Sequence, residues 1–183
     1  MTSLGLVETR TIAGGIDLAD AMVKHAAVEL LRAQTICSGR FMILVSGDRA
    51  SVGEAIAVAR EGSAGLHAVY LLSQVSDEVL AALAHRDRQP FNPRDAMAVI
   101  ECRNVVSGIS SADAAVKASG VRLVKLVCGQ GINGKSYYIL VGELASVEAG
   151  AAAAAETLGT HLLDRAIIAS PDQAVIRAVT GGR

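Results

Sequence analysis

Cys37 is the residue of this 183-residue chain with the most distinctive chemistry. It precedes Ser38 and Gly39, a pair typical of a tight turn, and Arg40 follows them. A cation beside a thiol lowers the pKa of that thiol and favours the thiolate, which binds metals and attacks electrophiles. A lone cysteine is also commonly an inert apolar filler. Three interpretations of Cys37 are therefore open: metal ligand, nucleophile or filler.

The other two cysteines fall on predicted strands. We expect Cys102 to fill the core of the protein, and Cys128, at the end of its strand, to have a structural role. The chain begins without a basic segment followed by an apolar stretch, so no secretory signal is expected. Three cysteines in a chain that is not secreted argue against a disulfide framework.

A literal G-x-G-x-x-G pattern runs from Gly129 to Gly134. A dinucleotide-binding loop of this type is followed by a helix. Residues 136–141 are instead mostly β-branched or aromatic and predict a strand, so we reject dinucleotide binding. The four histidines show no metal-binding spacing, and no catalytic residue is predicted.

The elements that position these residues occur twice. Residues 4–10 return as 97–103, and residues 19–24 return as 112–117, so Lys24 corresponds to Lys117. Further on, Gly39 corresponds to Gly134, after an insertion of about two residues. A period of roughly 93 residues is too long for a solenoid repeat and indicates a duplicated small domain. We predict a first domain at 1–88, a second at 94–183 and a linker at 85–95 that carries charge and two prolines.

Hydrophobic periodicity predicts the same order of elements in each half: strand, helix, two strands joined by a tight turn, helix, strand, helix. The first half has predicted strands at 3–10, 28–36, 40–45 and 66–72, and helices at 15–27, 51–61 (capped by Ser51) and from 76. The second half has predicted strands at 97–103, 121–128, 135–141 and 162–168, and helices at 108–118, 146–157 and 171–178. The hairpin forces antiparallel pairing, so each half is predicted to be an α+β domain with a mainly antiparallel four-stranded sheet and flanking helices.

Composition excludes several classes of partner. The chain is 51% hydrophobic but only 3% aromatic, and we expect extensive burial between the halves and between subunits. No run of 18 apolar residues occurs, so no membrane partner is expected. The net charge of −1 without a basic block argues against nucleic acid.

The repeated motifs resemble the bacterial microcompartment shell domain. They are residues 4–10, 19–28, 38–40 and 45–48, with counterparts in the same order in the second half. Two unpermuted domains in one chain resemble the tandem, trimer-forming class. This resemblance implies a cytoplasmic, non-enzymatic homotrimer, which is a pseudohexameric tile with a central pore. It would meet other shell proteins edge to edge, and an encapsulated redox enzyme is a further expected partner.

Residues 35–41 resemble the pore turn of the iron–sulfur-carrying shell protein of the propanediol-utilisation microcompartment, which has Pro and Lys where this chain has Ser38 and Arg40. The resemblance implies that Cys37 from three chains ligates one [4Fe-4S] cluster per trimer, for electron transfer or cluster passage. The alternatives are a metabolite-conducting pore without a cluster and, from another class, a Cys-dependent enzyme or small-molecule sensor. The predicted pore lining comprises Ser38, Gly39, Arg40, Ile132, Asn133, Gly134 and Lys135.

The resemblance also assigns Lys24 and Lys117 to the edge of the tile, where their stems would pack on a neighbouring tile. The alternative for each is a solvated charge on a helix. Cys128 has an approach to the pore as its alternative role. Glu8 and Glu101 recur within strand motifs, and we expect both to serve the structure.

Overall fold

The chain folds into two compact units in a computed structural model that describes residues 2–62, 65–84, 91–92 and 94–180. The first unit comprises Met1–Val75 with Gly129–Gly134, and the second comprises Ser76–Cys128 with Lys135–Arg183. Residues 85–90 and 93 of the predicted linker lie outside the described residues. The predicted limits of the two repeats stay a prediction.

The first unit is an antiparallel sheet that carries two helices. Apolar residues of α1 and α2 pack with residues from the sheet to form its core. The strands are β1 (Ser3–Thr9), β2 (Glu29–Ile36), β3 (Arg40–Gly47) and β4 (Leu66–Leu72), and the helices are α1 (Ile12–His25) and α2 (Arg49–Glu61). The strand order is β2-β3-β1-β4, and every pair is antiparallel. A tight turn at Cys37–Gly39, in which the backbone of Ser38 is not helical, joins β2 to β3.

The second unit repeats this arrangement with the sheet order β6-β7-β5-β8, again antiparallel throughout. Its strands are β5 (Ala96–Cys102), β6 (Arg122–Cys128), β7 (Ser136–Gly142) and β8 (Leu162–Ile168). Its helices are α3 (Asp77–Leu83), α4 (Val105–Ser119), α5 (Leu144–Leu158) and α6 (Gln173–Thr180). The α+β fold class is therefore confirmed. Helix α3 precedes the second predicted repeat in sequence but packs on α4 and β6 of the second unit.

The expected cap at Ser51 is wrong, because α2 begins one short turn earlier. Asp48 is the N-cap, and its Oδ1 accepts from the Ala50 N–H at 2.9 Å and the Ser51 N–H at 3.0 Å. The Ser51 hydroxyl donates to Asp48 Oδ2 at 2.8 Å. These bonds, the Ser51 amide first, lower the pKa of the Asp48 carboxyl.

Helices α1 and α4 both begin three residues earlier than predicted. In α4 the extra turn is capped by Asn104, whose Oδ1 accepts from the Ser107 N–H at 2.7 Å. In α1 the early turn contains Gly14 and Gly15, which have low helix propensity, and tertiary packing overrides that preference. Gly15 is buried, and an added Cβ there would lie 2.6 Å from the Phe41 Cβ. No helix in the described part of the chain is both long and apolar enough to cross a bilayer.

Candidate functional site

The candidate site is built on the turn between β2 and β3. Ser38 and Gly39 both have a φ of 71°, a left-handed conformation that is costly for Ser38 and ordinary for Gly39. Cys37 is half-buried, and Ser38 and Gly39 are exposed. The turn therefore presents a thiol close to solvent rather than in a closed core.

The glycine-rich segment Gly129–Gly134 belongs to the same unit and packs on this turn. The Cys37 N–H donates to the Gly129 carbonyl at 3.3 Å, and the Gly131 N–H donates to the Cys37 Sγ at 3.1 Å. Positive φ values of 76° at Gly129 and 75° at Gly131 let the backbone curl toward the sulfur. The segment that matches a nucleotide-loop pattern is therefore a support for the thiol.

The backbone amides of this segment lower the pKa of the Cys37 thiol. The largest cause is the Gly131 N–H bond; partial desolvation opposes it, and the amides of Gly134, Asn133 and Ile132 lower the pKa further. Successive amides that converge on one atom stabilise negative charge there. The amides, rather than the Arg40 cation expected from the sequence, cause this shift toward the thiolate.

Arg40 ties the segment to the sheet. Its Nη1 donates to Glu8 Oε2 at 2.8 Å, and its Nη2 donates to the Gly134 carbonyl at 2.7 Å. The Glu8 side chain is fully buried and that of Arg40 is 12% exposed, so this is a charge-assisted bond of low solvent access. A Cβ on Gly134 would lie 1.9 Å from Arg40 Nη2, which explains a glycine at this point.

A further bond joins the turn to the segment, because the Ser38 hydroxyl donates to Asn133 Oδ1. The structure thus brings Cys37, Ser38 and Arg40 together with Gly131–Gly134. Lys135 belongs to the second unit, where its Nζ lies 2.9 Å from Glu101 Oε1. The assignment of these residues to a pore stays a prediction.

The other cysteines differ from Cys37. Cys102 is fully buried, as expected for a core residue. Burial raises the pKa of its thiol to about 11, and hydrogen bonds with Ser136 and Ser111 oppose that rise. Cys128 is half-buried and lies opposite Ser136 in the β6–β7 pair.

The metal-binding capacity of one chain is limited. Within the described residues, no group of three or more His, Cys, Asp or Glu side chains is placed to hold a metal ion.

The two recurring lysines occupy different environments. Lys24 Nζ lies 2.5 Å from Asp20 Oδ2, and both side chains are more than half exposed. Lys117 Nζ lies 2.5 Å from Asp113 Oδ2, but the Asp113 side chain is only 6% exposed. Their assignment to a tile edge stays a prediction.

Comparisons with known proteins agree with the fold. A family model described as the BMC domain matches residues 3–75 and 96–171. The bacterial microcompartment shell protein PduT of Citrobacter freundii is 33% identical over 183 residues, 98% of each chain. The carboxysome shell protein CsoS1C of Halothiobacillus neapolitanus is 37% identical over 82 residues, 42% of this chain and 83% of that protein. A crystal structure of a microcompartment protein from Desulfitobacterium hafniense superposes with a TM-score of 0.85 and 36% identity, covering 97% of this chain and 99% of the other.

Proposed function

The chain belongs to the BMC domain family of bacterial microcompartment shell proteins, and we propose that three copies form a tile with one [4Fe-4S] cluster on their Cys37 thiolates. The tile is a pseudohexamer because each chain contributes two domains of the same fold. The cluster sits at the central pore and carries electrons across the shell, or enters through it.

The observation that carries this proposal is the hydrogen bond from the Gly131 N–H to Cys37 Sγ at 3.1 Å. Iron–sulfur clusters are held by thiolates, and hydrogen bonds to the sulfurs tune their reduction potentials. A thiol with a lowered pKa at a solvent-accessible turn fits this ligand type. A buried filler cysteine would have neither property, as Cys102 illustrates.

Symmetry determines the number of ligands. One Cys37 per chain in a threefold ring supplies three thiolates, and the fourth iron of a cube takes water or another donor. The second repeat has Ile132 where the first has Cys37, so three of the six turns carry a thiol. When bound, the cluster supplies one-electron redox chemistry.

The surrounding residues hold the thiol and line the passage. Arg40 fixes Gly134 and through it the amides that face Cys37. Exposed Ser38 and Asn133 offer polar groups to a passing solute, together with Gly39, Ile132 and Lys135. Lys24 and Lys117 meet neighbouring shell proteins at the tile edges. The role is one of assembly and conduction rather than catalysis, and an encapsulated redox enzyme is the partner for electrons.

Anaerobic reconstitution with iron and sulfide tests the proposal. We expect a brown trimer with about 1.3 iron atoms per chain, that is, one four-iron cluster per three chains. Cys37→Ala should be colourless and still trimeric, whereas Cys128→Ala, the matched control, should keep its iron. A colourless native trimer would instead indicate the metabolite pore, and a Cys37-dependent turnover of a small molecule would indicate the enzyme.

A further inference from the structure

In the second unit, the short helix α3 packs against helix α4 and the edge of the sheet, and we call this contact the α3 joint. Helix α3 packs on α4 and on β6, which is an edge strand of its sheet. At the start of α3, the N–H and the hydroxyl of Ser76 donate to Asp113 Oδ1 at 2.8 and 2.9 Å. The joint thus combines apolar packing with a buried, hydrogen-bonded carboxylate.

Both sides of this joint are buried. Val79 and Leu83 of α3 are 0% and 6% exposed, and Ile109 and Val116 of α4 are 0% and 7% exposed. Removal of four such side chains from water is a substantial apolar contribution. Apolar residues of both α3 and α4 are therefore removed from water where the two helices pack together.

The corresponding surface of the first unit is bare. Ile16 of α1, the counterpart of Ile109, is 56% exposed, and the Asp20 side chain, the counterpart of Asp113, is 57% exposed. Between α1 and the edge strand β2 lies an apolar groove of about 470 Å³. Its lining includes Ile16, Ala19, Asp20, Val23, Leu30 and Ala33.

The chain also carries a second helix of the α3 type. Leu72 of β4 pairs with β1 as Ile168 of β8 pairs with β5, and from these points Ser76 and Asp172 are equally distant. Each begins the short helix that follows, so Val175 of α6 occupies the place of Val79.

Helix α6 lacks the cover that α3 has. Val175 is 45% exposed, whereas Val79 is fully buried. On its other side α6 is held by its own unit, since Ile176 is buried and Lys125 Nζ donates to the Val179 carbonyl. The outer face of α6 is therefore an unpaired copy of the face that α3 buries.

We propose that the Val175 face of α6 in one copy docks into the α1–β2 groove of a second copy and repeats the joint made by α3. The inference rests on the proposed trimer and identifies the surfaces that build it. The contact between α3 and α4 is already made within the chain, whereas the α1–β2 groove and the Val175 face of α6 are both open. Pairing these two different surfaces is a head-to-tail contact, which gives a closed ring when the rotation between copies closes, as in the proposed trimer.

The contact between copies differs from the α3 joint in the polar residue at the start of the docking helix. Asp172 replaces Ser76, and its Oδ1 accepts from the Ala174 N–H at 2.7 Å as the cap of α6. Docking brings this carboxylate toward Asp20, whose charge Lys24 partly offsets at 2.5 Å. Asp172→Ser, which restores a hydroxyl donor, should therefore strengthen association.

Sedimentation equilibrium of the native chain and of Ile16→Asp and Val175→Asp tests the docking. Both residues are exposed in the single chain, so each variant should fold, which circular dichroism checks. A carboxylate in an apolar contact should weaken association on the order of 30-fold or more. Leu144→Asp, at a residue 41% exposed on α5, is the matched control and should associate like the native chain.

Mixing the two variants separates a head-to-tail contact from other contacts. The Ile16→Asp chain keeps an intact α6, and the Val175→Asp chain keeps an intact groove, so the mixture should form heterodimers and nothing larger. Variants that both remain trimeric would overturn the docking and leave the trimer standing. A native ring of another size that both variants dissociate would support the docking and contradict the trimer.

Discussion

In the first unit, Gly15 of α1 lies so close to β3 that an added Cβ would be 2.6 Å from the Phe41 Cβ. In the second unit, the corresponding Gly108 of α4 approaches β7, and an added Cβ would be 2.0 Å from Ser136 Oγ. Both repeats therefore keep the close approach of a helix backbone to the sheet. The side chain that meets the glycine has changed from aromatic to hydroxylic, so the duplication preserves backbone geometry more strictly than core chemistry.

The change extends into the core. Ser111 and Tyr138 of the second unit, at the positions of Leu18 and Ile43, form a buried hydrogen bond of 2.9 Å between their hydroxyls. Burial raises the pKa of the Tyr138 hydroxyl, so the group stays neutral. Among the described residues, no buried side-chain nitrogen or oxygen lacks a hydrogen-bond partner. A core can thus exchange apolar packing for polar pairs provided that every polar group is satisfied.

A second contrast lies in the ion pairs beside the turns. Arg40 and Glu8 form a pair with a fully buried carboxylate, whereas the corresponding Lys135 and Glu101 are both 41% exposed. Solvent screens the attraction between the exposed Lys135 and Glu101 much more than that between Arg40 and Glu8. The difference places the strongest electrostatic constraint next to Cys37, where the amides of residues 131–134 have to be held.

The largest expected effect on the free energy of unfolding comes from removing the cation of each ion pair, with Arg40→Ala in the first unit and Lys135→Ala in the second. Loss of the guanidinium leaves a buried carboxylate without its cation, and we expect about 3 kcal/mol of destabilisation. Loss of the Lys135 ammonium should cost under about 1 kcal/mol, because Glu101 remains solvated. Urea unfolding at one protein concentration measures both; equal losses would contradict the contrast.

The variants Gly15→Ala and Gly108→Ala compare the close approach of helix to sheet in the two units, and both should lower the free energy of unfolding. Overpacking typically costs about 1–3 kcal/mol, partly offset by the better helix propensity of alanine. In the second unit, Ser136→Ala removes the clashing hydroxyl and should recover part of the loss in Gly108→Ala. In the first unit, the added Cβ would meet the Phe41 Cβ at 2.6 Å and Thr9 Oγ1 at 2.7 Å, so no single removal of a hydroxyl relieves the clash. If unfolding free energies in a double-mutant cycle show no coupling between residues 108 and 136, the predicted clash between an alanine at 108 and the Ser136 hydroxyl would be ruled out.

The contributions of the Cys37 and Cys102 thiols to stability should depend on pH in opposite directions. This is the smallest of the expected effects on the free energy of unfolding. The lowered pKa of Cys37 contributes stability above the pKa of the unfolded thiol, which is lost as pH falls through the folded pKa. The raised pKa of Cys102 has the opposite sign, and its contribution is lost from 9.0 up to about 11.

Alkylation with iodoacetamide, followed by peptide mass spectrometry across pH, measures this difference. Cys37 should react at lower pH than the same cysteine in the urea-unfolded chain, and Cys102 should be protected. A Cys37 profile shifted to higher pH than in the unfolded chain would contradict the role of the surrounding amides.

The sequence predicts the elements well because the two repeats support each other and the strands alternate regularly. It does not decide between Asp48 and Ser51 as the cap of α2, since both residue types cap helices and only the hydrogen bonds distinguish them. The turn at Cys37 and the segment Gly129–Gly134 were predictable as corresponding loops. Their packing on each other was not, because it joins residues more than ninety positions apart. The packing of α3 on α4 was not predictable either, because it joins helices on opposite sides of the predicted linker.

The central claim is that three Cys37 thiolates in a ring hold one cluster. Sedimentation velocity of the anaerobically reconstituted chain, followed in the visible absorbance band of the cluster, tests it most directly. The visible absorbance should sediment with the trimer and be absent from Cys37→Ala at the same sedimentation coefficient. Visible absorbance that sediments with a monomer, or that persists in Cys37→Ala, would contradict the claim.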